Sequence, residues 1–238
     1  MKSALHTLYD VLLPRRCAVC GCQLKAKEVG LCVSCLLQLQ HPVLLDASFS
    51  EVLRRLWGEL PVRKGVALCY YQRSSDIHLL FQEMKYRGRI DLCQWMGQML
   101  AKTLSDTDFF QGIDFIVPIP LSQRRKSWRG YNQSEHIAVG ISQVTSLPIL
   151  PDLLIRHIDN ESQTHKSYQE RQENVKDIFR VKERVCLSRF APPSRSPHFL
   201  VVDDVVTTGA TLSSAIRTLY ERLPDATFSV ASIALTRE

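Results

Sequence analysis

Two adjacent carboxylates follow a short apolar run near the end of the chain. Residues 199–202 are Phe, Leu, Val and Val, and Asp203 and Asp204 come directly after them. Such a run predicts a buried strand, and open α/β sheets bind their ligands at the carboxyl ends of the strands. Paired carboxylates there accept hydrogen bonds from two neighbouring hydroxyls, as on a ribose, and help to hold Mg²⁺. Asp203 and Asp204 are therefore the candidate catalytic residues.

The segment after the two carboxylates is rich in small and hydroxyl-bearing residues. We expect a loop that opens a helix, where exposed main-chain N–H groups and the helix dipole favour a phosphate. The residues predicted to bind this phosphate are Val206, Thr207, Thr208, Gly209, Ala210 and Thr211. The alternative is an ordinary strand–turn–helix in which Asp204 merely caps the helix. The chain has no G-x-x-x-x-G-K-[ST] sequence, so this segment is not a Walker loop.

A cluster of cations follows a second short apolar run. Residues 121–131 read LSQRRKSWRGY, with four cations and no acid. We expect this segment to be a loop, where guanidinium groups suit the oxygens of a pyrophosphate. Two alternatives are a solvated basic surface and a nucleic-acid contact in which Trp128 or Tyr131 stacks on a base. A second basic cluster lies at 85–89, where the end of a helix would favour cations without any ligand.

Five of the eight cysteines lie between residues 17 and 35. Cys17, Cys20, Cys32 and Cys35 form two Cys-x-x-Cys pairs separated by eleven residues, a spacing typical of tetrahedral Zn²⁺ sites. The zinc would be structural, because so short a segment cannot bury an adequate core without it. Cys22 could replace Cys20 as a ligand. A thioredoxin-like redox pair and an iron–sulfur centre are the alternatives to zinc.

The pattern of helices and strands around these residues predicts an α/β fold. From about residue 66, β-like apolar runs alternate with helical periodicity, as at 74–88 and 211–223, which favours a mainly parallel sheet flanked by helices. The 238 residues are 45% hydrophobic and 23% charged, which excludes a disordered chain, a collagen-like repeat and a coiled-coil rod. We divide the chain into a zinc-ribbon module with a helical linker at 1–62 and a main domain at 63–238.

The charge balance and the lack of a long apolar run limit the partners of the protein. The chain has 30 Lys and Arg against 24 Asp and Glu, and its net charge of +6 favours phosphates, nucleotides or nucleic acid. No run of apolar residues reaches the length of about 18 that a membrane span needs. The first residues lack a signal-peptide cleavage pattern, and clustered cysteines suit a reducing compartment. We therefore expect a cytoplasmic protein.

Several motifs, in this order, resemble those of one known family. The segment FLVVDDVVTTGATL (199–212) resembles the ribose-phosphate signature of the type I phosphoribosyltransferases. The chain as a whole resembles the ComF family through its cysteine module, its terminal strand and further motifs. These motifs are KYRGR (85–89), VPIPLSQRRKSWRGYNQS (117–134), SQT (162–164) and RQEN (171–174). The resemblance covers nearly the whole chain.

The resemblance implies a type I phosphoribosyltransferase-like fold that binds phosphoribosyl pyrophosphate with Mg²⁺. It also implies a role in DNA uptake or in the use of external DNA. The resemblance also implies that the basic segment binds the pyrophosphate, and the family motif within this segment is R-G-x-N-Q (129–133). The residues given this role are Arg124, Arg125, Arg129 and Lys85. By analogy with the fold, we expect the polar segment 156–174 to be a mobile lid.

Three functions stay open at this point. The protein is a phosphoribosyltransferase of unknown acceptor, or a non-catalytic adaptor or sensor, or a transferase-like regulator of transport or metabolism. An adaptor would bind single-stranded DNA or a partner in DNA uptake. A fold alone does not choose among these functions, because one fold hosts many of them.

Overall fold

The computed structural model describes residues 14–42, 50–56, 60–72, 75–157, 178–182 and 196–237. These residues form seven helices and six strands. The helices are α1 (Val33–Leu37), α2 (Glu51–Arg54), α3 (Ile77–Tyr86), α4 (Ile90–Thr103), α5 (Gln123–Arg129), α6 (Gln133–Thr145) and α7 (Ala210–Arg222). The strands are β1 (Val62–Tyr71), β2 (Phe115–Pro118), β3 (Leu154–Arg156), β4 (Phe179–Val181), β5 (His198–Val206) and β6 (Thr227–Thr236).

The main sheet has four strands in the order β1-β6-β5-β2, and each neighbouring pair is parallel. Beyond β2, a parallel bridge joins Ile116 to Ile149. β3 and β4 form a separate antiparallel pair. The predicted α/β fold with a parallel sheet is thus confirmed. Because the strands of the main sheet run in one direction, their carboxyl ends share one edge, and this edge carries the site.

Side chains of β5 alternate between two apolar cores, one on each face of the sheet. Leu200 and Val202 belong to the core that includes residues of α3, α4 and α6, whereas Phe199 and Val201 belong to the core that includes residues of α7. A parallel strand covered on both faces needs apolar residues at every position. This requirement explains the uninterrupted apolar run at 199–202.

Helices α4 and α6 pack with their backbones in close contact. A Cβ atom on Gly140 would lie 2.0 Å from the carbonyl oxygen of Gln94, and one on Gly97 would lie 2.2 Å from that of Ile137. Only glycine leaves room for such an approach. The contact fixes α6 beside the sheet, so that the residues at the N-terminus of α6 reach the carboxyl ends of β2 and β5.

The cysteine module packs directly on the main core. Cys17, Leu31 and Cys35 are buried in the same apolar cluster as residues of β1 and α4. The α carbon of Gly30 faces α4 so closely that a Cβ atom there would lie 2.6 Å from Leu92 and 2.8 Å from Trp95. The module is therefore held by apolar contacts as well as by its own local structure.

The basic segment, expected to be a loop, forms the short helix α5. Ser122 is its N-cap, and the Ser122 hydroxyl accepts a hydrogen bond of 3.4 Å from the main-chain N–H of Arg125. Gly130 ends the helix with a φ of 80°, a left-handed conformation that suits glycine. The residues in between are mostly strong helix formers. The capping serine and the terminal glycine thus define a helix of seven residues in the cationic segment.

The strand that carries the two carboxylates is longer than expected. We predict a loop from Val205 onward, but β5 continues to Val206, which pairs with Leu235 of β6. Pairing with β6 supplies the hydrogen bonds that keep these residues extended. Asp203 and Asp204 therefore lie within β5, among its last four residues.

The longest described helix is α4, with 14 residues. Among the described segments, no helix combines the length and the apolar character needed to cross a membrane.

Candidate functional site

A polar cleft of about 150 Å³ opens at the carboxyl edge of the sheet. Its walls come from β5, from the ends of α3 and α5, from the start of α6 and α7, and from the segment after β2. The lining residues are Lys85, Ile119, Pro120, Leu121, Arg125, Arg129, Gln133, Ser134, Arg156, Asp203, Asp204, Val205 and Thr211. The two predicted catalytic residues and three of the four predicted pyrophosphate-binding residues therefore share one cavity.

Asp203 is held by hydrogen bonds on one carboxylate oxygen. Its Oδ1 accepts from the hydroxyl of Ser134 at 3.1 Å and from the main-chain N–H of Asp204 at 2.9 Å. Burial and the neighbouring charge of Asp204 raise the pKa of Asp203 to about 7. The hydrogen bonds and the charge of Lys85 oppose this rise but do not cancel it. Near neutral pH, Asp203 thus takes up or releases a proton readily.

Asp204 forms an ion pair with Lys85 across the cleft. The Lys85 Nζ lies 3.0 Å from Asp204 Oδ2, and both side chains are less than a quarter exposed. The Oδ1 atom of Asp204 accepts from the main-chain N–H of Val205 at 2.8 Å. Burial has the largest single effect on the pKa of Lys85 and lowers it, but the charge of Asp204, the hydrogen bond to Asp204 and the charge of Asp203 together leave this pKa above its ordinary value. The cleft therefore contains a firmly charged ammonium group.

Two arginines of α5 complete the positive side of the cleft. Arg125 and Arg129 both line it, and Arg129 Nη1 donates to Oε1 of Gln133 at 3.0 Å. The guanidinium carbon of Arg129 also lies 5.4 Å from the ring centre of Tyr86. Arg124, the remaining predicted pyrophosphate residue, is exposed on α5 and is not among the residues that line the cleft.

The same wall carries two buried donors without a partner in the described part of the protein. These are Nε2 of Gln133, whose residue is only 1% exposed, and Nε of Arg129. A buried N–H without a partner is costly, so such donors indicate that a ligand or water supplies an acceptor. With Lys85 and Arg125 beside them, they suit an anion with several oxygens. The residues present therefore fit an anionic ligand.

The predicted phosphate-binding residues lie around the start of α7. Thr207 and Thr208 belong to the turn after β5, and Gly209 is the N-cap of α7 with a φ of 77°. Thr211, in the first turn of α7, is the one that lines the cleft. Val206 is buried as the last residue of β5, and Ala210 begins α7. A helix N-terminus beside a polar cleft favours an anion.

Three polar residues that line the cleft are not among the site residues predicted from the sequence. Ser134 bonds to Asp203, Gln133 carries the unpartnered amide, and Arg156 ends β3 at the rim. Gln133 and Ser134 follow directly on Asn132, the N-cap of α6. Gln133 is the last residue of the R-G-x-N-Q motif, and the longer motif at 117–134 contains both residues. Arg156 begins the segment predicted to be a lid. Residues 158–174 of that segment lie outside the described residues.

The four predicted zinc ligands come together at the other end of the chain. The Sγ atoms of Cys17, Cys20, Cys32 and Cys35 all lie within 4.8 Å of one another. The main-chain N–H of Cys32 donates to Cys17 Sγ at 3.4 Å, and that of Cys35 donates to Cys32 Sγ at 3.5 Å. Such N–H···S bonds stabilise thiolates around a cation. The cluster has the donor set and the spacing to bind zinc.

The thiols of this cluster differ in acidity because their surroundings differ. A hydrogen bond from the main chain of Cys22 lowers the pKa of Cys20 to about 6, and one from the main chain of Cys35 lowers the pKa of Cys32. Burial raises the pKa of Cys35. Thiolates are the form that binds a metal, so two of the four thiols are prepared for it. Cys22 is exposed, and it is not a member of the four-sulfur cluster.

Solved structures of two phosphoribosyl enzymes resemble part of the chain. One is the glutamine phosphoribosylpyrophosphate amidotransferase of Bacillus subtilis, with a TM-score of 0.37, 18% identity, and coverage of 63% of this chain and 30% of that chain. The other is an adenine phosphoribosyltransferase, with a TM-score of 0.37, 15% identity, and coverage of 67% and 75%. At such scores the fold is better described by its own strand order and register.

Sequence relatives cover most of the chain, although no family model matches it. The chain is 27% identical to the DNA utilization protein YhgH of Salmonella typhimurium, covering 85% of this chain and 83% of that protein. It is 26% identical to competence protein F of Haemophilus influenzae (84% and 82% covered) and 28% identical to competence protein ComFC of Bacillus subtilis (93% and 83%). Over most of its length the chain is therefore similar to competence and DNA utilization proteins, as its motifs predict.

Proposed function

We propose that the cleft binds phosphoribosyl pyrophosphate together with Mg²⁺. The observation that carries this proposal is the juxtaposition of two carboxylates, Asp203 and Asp204, with three cations, Lys85, Arg125 and Arg129, around one polar cavity. A sugar with free hydroxyls and a pyrophosphate needs both kinds of group at once. The unpartnered buried donors on Gln133 and Arg129 further support an oxygen-rich ligand.

Each part of phosphoribosyl pyrophosphate would contact a different group of residues in the cleft. Asp203 and Asp204 would accept hydrogen bonds from the two ribose hydroxyls, and the start of α7 from Thr207 to Thr211 would hold the 5′-phosphate. Arg125 and Arg129 would bind the pyrophosphate through paired N–H groups. Mg²⁺ would be held near the carboxylates, where it neutralises charge on the pyrophosphate oxygens. Arg124, exposed outside the cleft, would contribute only long-range charge.

Calorimetry tests this proposal directly. Phosphoribosyl pyrophosphate is titrated, with Mg²⁺ present, into the wild-type chain and into Asp203→Asn with Asp204→Asn. We expect the double variant to lose binding. Asp225→Asn, which replaces an exposed aspartate in the turn before β6, is the control for removal of a carboxylate outside the cleft and should keep binding. Unchanged affinity in the double variant would contradict the assignment of the cleft.

Turnover separates an enzyme from a sensor. Loss of pyrophosphate from C1 leaves positive charge on the ribose ring, which the two carboxylates would orient and stabilise. The cationic wall would stabilise the departing pyrophosphate anion. Pyrophosphate release is therefore measured with bases, nucleosides and DNA as acceptors. Release with one acceptor class supports a phosphoribosyltransferase, whereas tight binding without release supports a sensor.

We also propose that Cys17, Cys20, Cys32 and Cys35 bind a structural zinc ion, which is supported by their clustering and by the N–H···S bonds. Four thiolates leave no open coordination position, so this zinc holds the module together and takes no part in catalysis. The division into a module at 1–62 and a main domain at 63–238 belongs to the same proposal. A tetrathiolate site requires reduced cysteines, which supports the cytoplasm as the compartment.

A role in DNA uptake or in the use of external DNA is a further part of the proposal. The names of the relatives, DNA utilization protein and competence protein, support it. The sequence similarity extends over most of both chains, so the likeness is not limited to the cysteine module. The ligand cleft is compatible with this role, because a sensor or a transferase can act in DNA uptake or in the use of external DNA.

An exposed pair of aromatic rings favours single-stranded DNA as a second candidate ligand. Tyr86 and Trp128 are 53% and 72% exposed, and their ring centres lie 5.2 Å apart. Arg129 packs over Tyr86, and Arg124 and Lys126 are exposed on the same helix as Trp128. Aromatic rings within a basic surface are what bases of a single strand stack on.

Binding of an oligothymidylate strand, followed by fluorescence anisotropy, tests this second candidate. We expect Trp128→Ala to weaken binding about tenfold, and Trp128→Phe, which keeps a ring, to retain most of it. The affinity should also fall steeply as salt is raised, because phosphates release counterions on binding. Equal affinity of the wild type and Trp128→Ala for the strand would contradict DNA binding at this surface.

A further inference from the structure

We propose that Arg55 is a positioning residue that braces the phosphate loop, residues 207–211, from outside the sheet. This inference rests on the proposed function of that loop. Arg55 is the C-cap of α2, a helix that precedes the sheet in the chain. It lies 152 residues before the loop that it contacts, and none of the motifs in the sequence points to it.

The guanidinium of Arg55 joins the loop to the neighbouring strand. Its Nη1 donates to the carbonyl oxygen of Thr207 and, at 2.8 Å, to Oγ1 of Thr236. Its Nη2 donates to the carbonyl oxygen of Thr236 at 2.6 Å. Thr236 is the last residue of β6, the strand next to β5. One side chain thus ties the loop after β5 to the end of β6.

The bond to Thr207 sets the direction of a main-chain N–H group. In a trans peptide the carbonyl and the following N–H point in opposite directions. Because the Thr207 carbonyl points at Arg55, the N–H of Thr208 points away from Arg55 and from α2. A phosphate bound at a helix N-terminus needs such N–H groups turned towards it and carbonyls turned away. Arg55 keeps this peptide from turning over.

The backbone of Arg55 also touches the loop. A Cβ atom on Gly209 would lie 2.0 Å from the carbonyl oxygen of Arg55, and Gly209 has a φ of 77°. A side chain at this position is therefore excluded both by conformation and by space. The loop thus contacts the end of α2 through the main chain of Arg55 as well as through its guanidinium group.

Helix α2 has its own anchors, so it can act as a fixed support. Val52 is buried, and Glu51 Oε1 accepts a hydrogen bond of 2.6 Å from the hydroxyl of Tyr70 on β1. The Leu53 side chain lies so close to Gly65 that a Cβ atom there would be 2.9 Å from it. A helix of four residues is not stable alone, and these contacts with β1 hold it.

The test compares Arg55→Ala with Arg54→Ala, which removes an exposed arginine from the same helix. Calorimetry with ribose 5-phosphate probes the phosphate loop, and calorimetry with magnesium pyrophosphate probes the α5 side of the cleft. We expect Arg55→Ala to weaken ribose 5-phosphate about tenfold and to leave pyrophosphate unchanged, since only the loop loses its brace. Arg54→Ala should leave both affinities as in the wild type.

Hydrogen exchange of the amides at 207–211 measures the brace without any ligand. Exchange should be faster in Arg55→Ala than in Arg54→Ala. Thr236→Val removes only one acceptor of Arg55 and leaves α2 intact. It should also speed exchange at 207–211, but less than Arg55→Ala does. This variant tests the brace even if Arg55→Ala loosens α2.

The outcomes separate the brace from the function. Equal ribose 5-phosphate affinity and equal exchange in the two arginine variants would overturn the brace while leaving the cleft intact. Parallel weakening of both ligands would also overturn it, in favour of a general structural role for Arg55. If exchange at 207–211 is faster in Arg55→Ala than in Arg54→Ala, but the wild type binds neither phosphoribosyl pyrophosphate nor ribose 5-phosphate, the brace is supported and the proposed function is contradicted.

Discussion

The ammonium of Lys85 lies 3.0 Å from Oδ2 of Asp204, and both residues line the proposed ligand cleft. Lys85 lies in the last turn of α3, and Asp204 lies near the end of β5, so the pair links a helix to the sheet. A cation at this position offsets the repulsion between Asp203 and Asp204. Any ligand that binds both carboxylates must therefore share them with Lys85 or displace it.

Replacement of Lys85 by methionine should destabilise the protein in a pH-dependent way. At about pH 8 we expect a loss of about 1–2 kcal/mol in the free energy of unfolding, because two neighbouring carboxylates lose their cation. At about pH 5 the loss should be smaller, since Asp203 then carries a proton. Urea unfolding at both pH values measures this, with Lys102→Met, an exposed lysine of α4, as the control. The same loss at both pH values would show that the ion pair is not the cause.

Replacement of Asp203 by asparagine should stabilise the unliganded protein above neutral pH. Burial and the charge of Asp204 raise the pKa of Asp203 from 3.8 to about 7. The folded state thus holds this proton more tightly than the unfolded state. The stability that the protonated carboxyl contributes is present below the lower value and is lost as the pH rises through the upper one.

Asparagine does not titrate, so the variant escapes this loss. At about pH 8 its melting temperature should exceed that of the wild type by about 4 °C, and the difference should vanish towards pH 4. Calorimetric melting across this range measures the effect, and Asp225→Asn controls for the change in net charge. A constant difference at all pH values would contradict the raised pKa.

Removal of single cysteines should distinguish the zinc ligands from their neighbour. Cys20 belongs to the four-sulfur cluster, whereas Cys22 does not. We expect about one zinc per chain in the wild type and in Cys22→Ser, and a large loss in Cys20→Ser, as measured by elemental analysis. A chelator should also speed amide exchange in the module, because the metal supplies folding free energy. Purified protein without metal and with a protected module would refute the zinc site.

Alanine in place of Gly140 should disturb the site from a distance. Its Cβ would meet the carbonyl of Gln94 at 2.0 Å, so α6 must move away from α4. We expect a loss of about 1–3 kcal/mol in urea unfolding, together with weaker ligand binding, because α6 carries Ser134 at its N-terminus. Lys102→Ala on the exposed side of α4 is the control. Full stability in Gly140→Ala would mean that the two helices are less tightly packed.

The local features of this protein could be predicted from its sequence. The apolar run before Asp203 indicates a strand because both faces of a parallel strand are buried, and the two Cys-x-x-Cys pairs indicate a metal site because their spacing is local. The start of α6 after Asn132 follows from the capping preference of asparagine, and the end of α7 at Arg222 follows from Pro224, which cannot continue a helix. Two local predictions are wrong. The basic segment at 123–129 is a helix, marked by Ser122 and Gly130, and β5 continues to Val206 where we predict a loop.

The tertiary structure alone decided which distant side chains meet. Ser134 reaches Asp203 across 69 residues, and Arg55 reaches Thr207 across 152, because the strand order β1-β6-β5-β2 brings their segments to one edge of the sheet. No periodicity in the sequence encodes such pairs. Which cations face the cleft was decided in the same way, since the orientation of α5 directs Arg125 and Arg129 inward while Arg124 lies on its exposed side. Sequence patterns report on neighbours along the chain, whereas a binding site depends on neighbours in space.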